Sequence, residues 1–121
     1  MYVVMAVDGV TELNVMLAAL KRLHKKVYPL EVSQTYFSRQ VVAFAMIEGD
    51  KVGIGRNEEG ELFLVGDDNW PVFQNPEVQK KIRQTCSQLM VERELQKKGF
   101  RVSTVKNLED GSLKLVAVNW R

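Results

Sequence analysis

Cys86 and His24 are the only cysteine and the only histidine among the 121 residues. One thiol cannot close a disulfide within the chain, and its place on an apolar helical stripe reads as a small core residue, not a nucleophile. An intracellular home is therefore expected. A lone histidine leaves no basis for a histidine-rich metal set or for a Ser/His or Cys/His relay. Net charge is equally scarce: 17 basic residues against 15 acidic leave +2, which supplies no strong field toward nucleic acid or an anionic membrane. No apolar run approaches the roughly 18 residues of a membrane span. Met1 to Val7 has neither the basic start nor the long apolar region of a signal peptide. The expectation is a soluble, cytoplasmic chain without membrane association.

Nucleotide and metal signatures also fail, each at a named position. Gly55 and Gly60 have P-loop spacing, but Glu61 and Leu62 stand where its lysine and Ser/Thr belong, so phosphate would meet a carboxylate. Gly53-Ile54-Gly55 does not extend to a dinucleotide fingerprint, because Glu58 occupies the third glycine position. These read as strand and turn glycines. Asp67, Asp68 and Asn69 offer oxygen ligands, yet the calcium-loop pattern breaks at Trp70 and Pro71. No catalytic residue, metal set or cofactor is expected.

What the chain does contain is clearest from Asn75 to Arg121. Asn75 can accept a bond from an orphan backbone N–H, Pro76 suits the first helical position, and Glu77 complements the positive end of the dipole. Val78, Ile82, Cys86, Leu89 and Met90 then recur every three or four residues, forming the stripe of an amphipathic helix. Val91 and Leu95 fall roughly opposite, so the last turns are either covered on two sides or kinked. Gly99 supplies the left-handed stop, with Lys97 and Lys98 at the negative end. Beyond it the period becomes two: Val102, Thr104 and Lys106, a Glu109-Asp110-Gly111 turn, then Leu113, Leu115 and Ala117 predict a hairpin.

The first half reads as follows. Tyr2 to Val7 is a buried strand, and Thr11 is a candidate N-cap for a helix whose apolar face runs through Leu13, Met16, Leu17, Leu20 and Leu23. Lys21, Arg22, His24, Lys25 and Lys26 gather at its end, where cations are ordinary. Tyr28 to Val32 is a short strand broken by Pro29, Ser33 to Arg39 a loop or edge, and three strands follow over Val41 to Ile47, Lys51 to Arg56 and Glu61 to Val65. Asp67 to Gln74 is a connecting loop. Strands clustered in a meander and a hairpin, with two helices, predict one α+β domain over residues 1–121. Its mostly antiparallel sheet of about six or seven strands carries both helices on one face.

Several segments resemble, in order and spacing, a family of uncharacterised proteins of cyanobacteria, other bacteria and algal plastids, the hypothetical chloroplast reading frame thirty-five family. They are Val52-Gly53-Ile54-Gly55-Arg56-Asn57, Gly60 to Asp67, Trp70, Lys98-Gly99-Phe100, and Asp110-Gly111-Ser112-Leu113-Lys114-Leu115-Val116 with Trp120. The resemblance covers roughly Lys51 to Arg121. Two departures mark a divergent member: the family's opening Ser-His-Phe segment is missing, and its aromatic-x-aromatic-His stretch reads Cys86-Ser87-Gln88-Leu89 here. The resemblance implies no established activity.

Two site hypotheses follow. Trp70 and Phe73, with Asp67 and Asp68, lie in a connection that should run over the surface, where aromatic residues mark docking sites, and Trp120 ends the last strand as a further anchor. These predict a small non-catalytic interaction or adaptor module whose partner is another protein or a second copy. The alternative is nucleic-acid binding through Lys80, Lys81, Arg83, Lys97, Lys98 and Arg101. Its weakness is the interleaved Glu77, Glu92 and Glu94.

Overall fold

The computed structural model describes residues 1–107 and 113–119, and within 101–119 it gives the course of the backbone alone. Strand β1 (Tyr2–Ala6) leads to helix α1 (Leu13–Arg22). The meander β2 (Lys26–Tyr36), β3 (Arg39–Ile47), β4 (Asp50–Arg56) and β5 (Leu62–Asp67) follows. Next come a single helical turn, α2 (Pro71–Gln74), the long α3 (Pro76–Lys97), and strands β6 (Phe100–Asn107) and β7 (Leu113–Asn119). The first five strands form one antiparallel sheet in the order β1-β5-β4-β3-β2.

The expected single sheet of six or seven strands is therefore corrected to five. β6 and β7 pair only with each other and lie beside α3. A period of two establishes a strand, but nothing in it says which sheet the strand joins. The Asp110-Gly111 turn between them falls outside the described residues.

Both long helices pack on one face of the five-stranded sheet. Met16 and Leu20 of α1 and Ile82 and Cys86 of α3 share one buried cluster with Ala45, Ile54 and Leu64. The predicted start of α3 holds: Asn75 Oδ1 accepts the Glu77 N–H at 3.0 Å, and Pro76 takes the first position. Asn75→Ala should cost about 1 kcal/mol in urea denaturation, as the loss of one N-cap bond does. A helix end indifferent to that change would mean that packing alone fixes it. Gly99 closes the helix at φ +85°. Gln84, on the side of α3 away from Ile82 at about 100° per residue, is 8% exposed. The middle of α3 is thus covered on two sides, whereas Val91 stays 41% exposed.

The other face of the sheet is covered by the sheet itself. The tip of the β2–β3 hairpin folds across β4, so that Tyr36 and Phe37 pack with Val41, Phe44, Phe63 and Val65, and the Tyr36 hydroxyl donates to the Lys51 carbonyl at 2.7 Å. Gly53 and Gly55 make the crossing feasible. A Cβ on Gly55 would strike the Phe63 ring and the Gln40 carbonyl, and one on Gly53 would meet Val41, Tyr36 and Val65.

Three local expectations change. α1 begins after Glu12, not Thr11, and without a side-chain cap bond. Of the loop and edge readings of Ser33 to Arg39 the edge holds as far as Tyr36: the short strand expected at Tyr28 to Val32 extends to residues 26–36, one long edge strand with an irregular register between Pro29 and Gln34. The polar composition there reflects a strand open to solvent, which periodicity alone cannot tell from a loop. The Asp67 to Gln74 segment is a tight turn and one helical turn, wound by bonds from Trp70 N–H to the Asp67 carbonyl and from Phe73 N–H to the Trp70 carbonyl.

Candidate docking site

Two segments far apart in sequence meet at one corner of the sheet. On one side, Trp70 caps α2 and its ring lies against Gly66, where a Cβ would collide with both Trp70 and Phe73. On the other, Phe37 and Ser38 are the two central residues of the β2–β3 turn. The Phe37 ring stands edge-on to Trp70 at 5.6 Å, and Tyr36 stands edge-on to Phe37 at 4.8 Å. Trp70 stacks with Phe73 at 6.5 Å, and Tyr2 approaches Phe37 at 6.4 Å. Edge-to-face pairs of this kind add about 1 kcal/mol each beyond area burial.

The turn that presents Phe37 is unusual. Phe37 and Ser38 have φ of 48° and 62°, the left-handed pair of a type I′ turn in which Asn-Gly is the ordinary choice. A bulky aromatic residue pays backbone strain there, and its ring contacts are what the strain is offset against.

Trp70 and Phe73 are half-buried, resting on the edge of the core while keeping part of each ring in solvent. Tyr2 is 42% exposed, with the Arg39 guanidinium 5.8 Å from its ring centre. Asp67 Oδ1 accepts the Asn69 N–H at 2.9 Å, and Asp68 Oδ1 lies 3.8 Å from the Met1 amino group. The corner therefore joins aromatic surface to a carboxylate rim. Phe37 and Tyr2 were not singled out from sequence. The available signal was the Tyr36-Phe37 pair inside an otherwise polar stretch. Trp120 lies outside the described residues.

The basic set of the alternative is not gathered into one stripe. Lys81 and Arg83, two residues apart at 3.6 residues per turn, point about 160° away from each other. Lys98 is ion-paired with Glu94 at 3.7 Å, Lys80 is engaged elsewhere, and Arg101 lies where only the backbone is described. Of the interleaved acids, Glu92 pairs with Arg22 at 3.0 Å.

Burial pushes the Cys86 thiol up to about 11, so it is protonated and unreactive at neutral pH. Burial, then the nearby Asp50 carboxylate, raises Tyr36 above its ordinary value. Among the described residues no three His, Cys, Asp or Glu side chains come together as metal ligands would, and no helix is long and apolar enough to cross a membrane.

Compared with known families, residues 13–116 match one described as "Protein of unknown function (DUF1257)". No curated protein matches, and no solved structure does.

Proposed function

Since the chain belongs to this family of proteins of unknown function, with α1, the whole meander and α3 inside the matched span, we propose a function from its surface: a small, non-catalytic interaction module that docks on another protein. We take the family to be the one that the plastid reading frame resembles, and the module to act in the cytoplasm. The contact surface is the aromatic corner, with Trp70 and Phe73 as anchors, Tyr2 and Phe37 beside them, and Asp67 and Asp68 on the rim; Trp120, outside the described residues, is kept as a further anchor on its sequence alone.

One observation carries the reading: a phenylalanine is held in left-handed backbone at a hairpin tip and meets, ring to ring, a tryptophan from a distant turn. Strained conformations persist where function or packing demands them, and half-exposed aromatic clusters supply the anchors of interfaces. Tyr2 tests the docking role apart from stability, because much of it is in solvent. Tyr2→Ser combined with Asp68→Asn should leave the melting temperature within about 2 °C of wild type and weaken partner capture from the native host by about 2 kcal/mol, as loss of a hot spot does. A double variant that retains every partner at wild-type affinity removes the proposal. A chain that instead binds single-stranded oligonucleotide, with affinity falling steeply with salt, would favour the nucleic-acid alternative.

A further inference from the structure

Away from the aromatic corner, the last turn of α1, the β3–β4 turn and the first turn of α3 converge on a cleft of about 430 Å3, within the size range of small-ligand sites. Leu23, Val78 and Ile82 line it with apolar surface, and Arg22, His24, Lys25 and Lys81 bring nitrogen donors to its walls. The basic run at the end of α1 has an ordinary explanation in helix electrostatics. Its meeting with Lys81, from a helix more than fifty residues away, across an apolar surface, does not follow from that explanation.

The ion pairs of the cleft leave some donors uncommitted. Lys25 Nζ lies 2.9 Å from Glu48 Oε1, and Arg22 Nη1 lies 3.0 Å from Glu92 Oε2. Both pairs are solvent-accessible and contribute little, so either cation can turn toward an incoming charge. Among the described residues, neither the Lys81 ammonium nor the His24 ring has an ion-pair or hydrogen-bond partner. His24 is set by its backbone: φ is 62°, its N–H donates to the Lys21 carbonyl at 2.9 Å, and the Lys25 N–H donates to the Leu20 carbonyl at 2.8 Å. Glu77 also lines the cleft, four residues before Lys81, and its carboxylate opposes an anion there.

We propose that this cleft binds a compact organic anion, a carboxylate or phosphate monoester carrying an apolar ring or short chain. The apolar body rests on Leu23, Val78 and Ile82, and the anionic head sits between Lys81 and His24. Neither half suffices alone: the head by itself meets Glu77 and existing ion pairs, and the body by itself leaves the donors unused.

The test titrates isotope-labelled protein with phenyl phosphate, 4-phenylbutyrate, inorganic phosphate and benzyl alcohol, following the His24 ring and the Val78 and Ile82 amides by NMR. Phenyl phosphate or 4-phenylbutyrate should shift these signals saturably and at least about tenfold more tightly than the two fragments; the tighter of the two names the head group. Lys81→Gln should weaken that binding about fivefold and Glu77→Gln should tighten it about threefold, with both variants melting as wild type does. Absence of saturable shifts, benzyl alcohol binding as tightly as the anions, or indifference to both substitutions would overturn the proposal. A single-stranded oligonucleotide moving the same signals more tightly than phenyl phosphate would replace it with nucleic-acid binding.

Discussion

Gly55→Ala is expected to cost the domain about 3 kcal/mol or more, at the upper end for one added methyl group in a packed interior. The reason is the nature of what the new carbon meets. One obstacle is the Phe63 ring and the other is the Gln40 backbone carbonyl, and a main chain held in the ladder opposite Thr35 cannot step aside as a side chain can. Gly53→Ala is the control, because the three atoms nearest its Cβ belong to side chains, of Val41, Tyr36 and Val65, at 2.8 to 2.9 Å. That change should cost roughly half as much. Urea denaturation of both variants beside wild type reads the difference. Equal losses would mean that the hairpin tip does not press its backbone on β4.

Trp70→Ala should lower stability by about 3 kcal/mol, within the range for removing a large aromatic side chain from packed surroundings. Its ring fills the space over Gly66 and meets Phe37 and Phe73. The same geometry predicts that Gly66→Ala, which places a methyl group against that ring, costs about 2 kcal/mol alone. In the Trp70→Ala background, however, the collision with the Trp70 ring is gone and only the milder approach to Phe73, at 3.0 Å, remains of the three nearest contacts. The double variant should therefore be more stable than the sum of the single losses by about 1 to 2 kcal/mol, a coupling of the size found between residues in direct contact. Strict additivity in that cycle would place the Trp70 ring somewhere other than on β5. Trp70 has two parts in this account: its buried side supports the corner, and its exposed side belongs to the proposed contact surface.

Residues whose signal is local were legible in the sequence. Asn75, Pro76 and Gly99 marked the ends of α3 because capping bonds and a left-handed stop depend on immediate neighbours, and Ile82, Cys86 and Leu89 faced the core as their spacing required. Residues 33–36 fit loop or edge equally in sequence, because an edge strand in solvent need not alternate apolar with polar. Phe37 escaped notice for a different reason. Its turn type usually announces itself through Asn-Gly, and here the ring that meets it from Trp70 is a long-range partner that no short window of sequence contains. Gly53 and Gly55 were read as strand glycines, which they are, but the hairpin passing over them was invisible. Trp70 and Phe73 are unusual for a loop in sequence alone, and only the fold shows Gly66 as the floor on which they rest.

The order of strands also bears on how the chain is made. β2, β3, β4 and β5 each pair with the element that follows or precedes them, so each can find its neighbour soon after leaving the ribosome. β1 cannot: Val4 lies opposite Val65, and at the usual 5–20 residues per second the wait for β5 lasts roughly 3 to 12 s. During that interval the Val3-Val4-Met5 segment is without its native partner strand, and its apolar side chains stay open to other contacts.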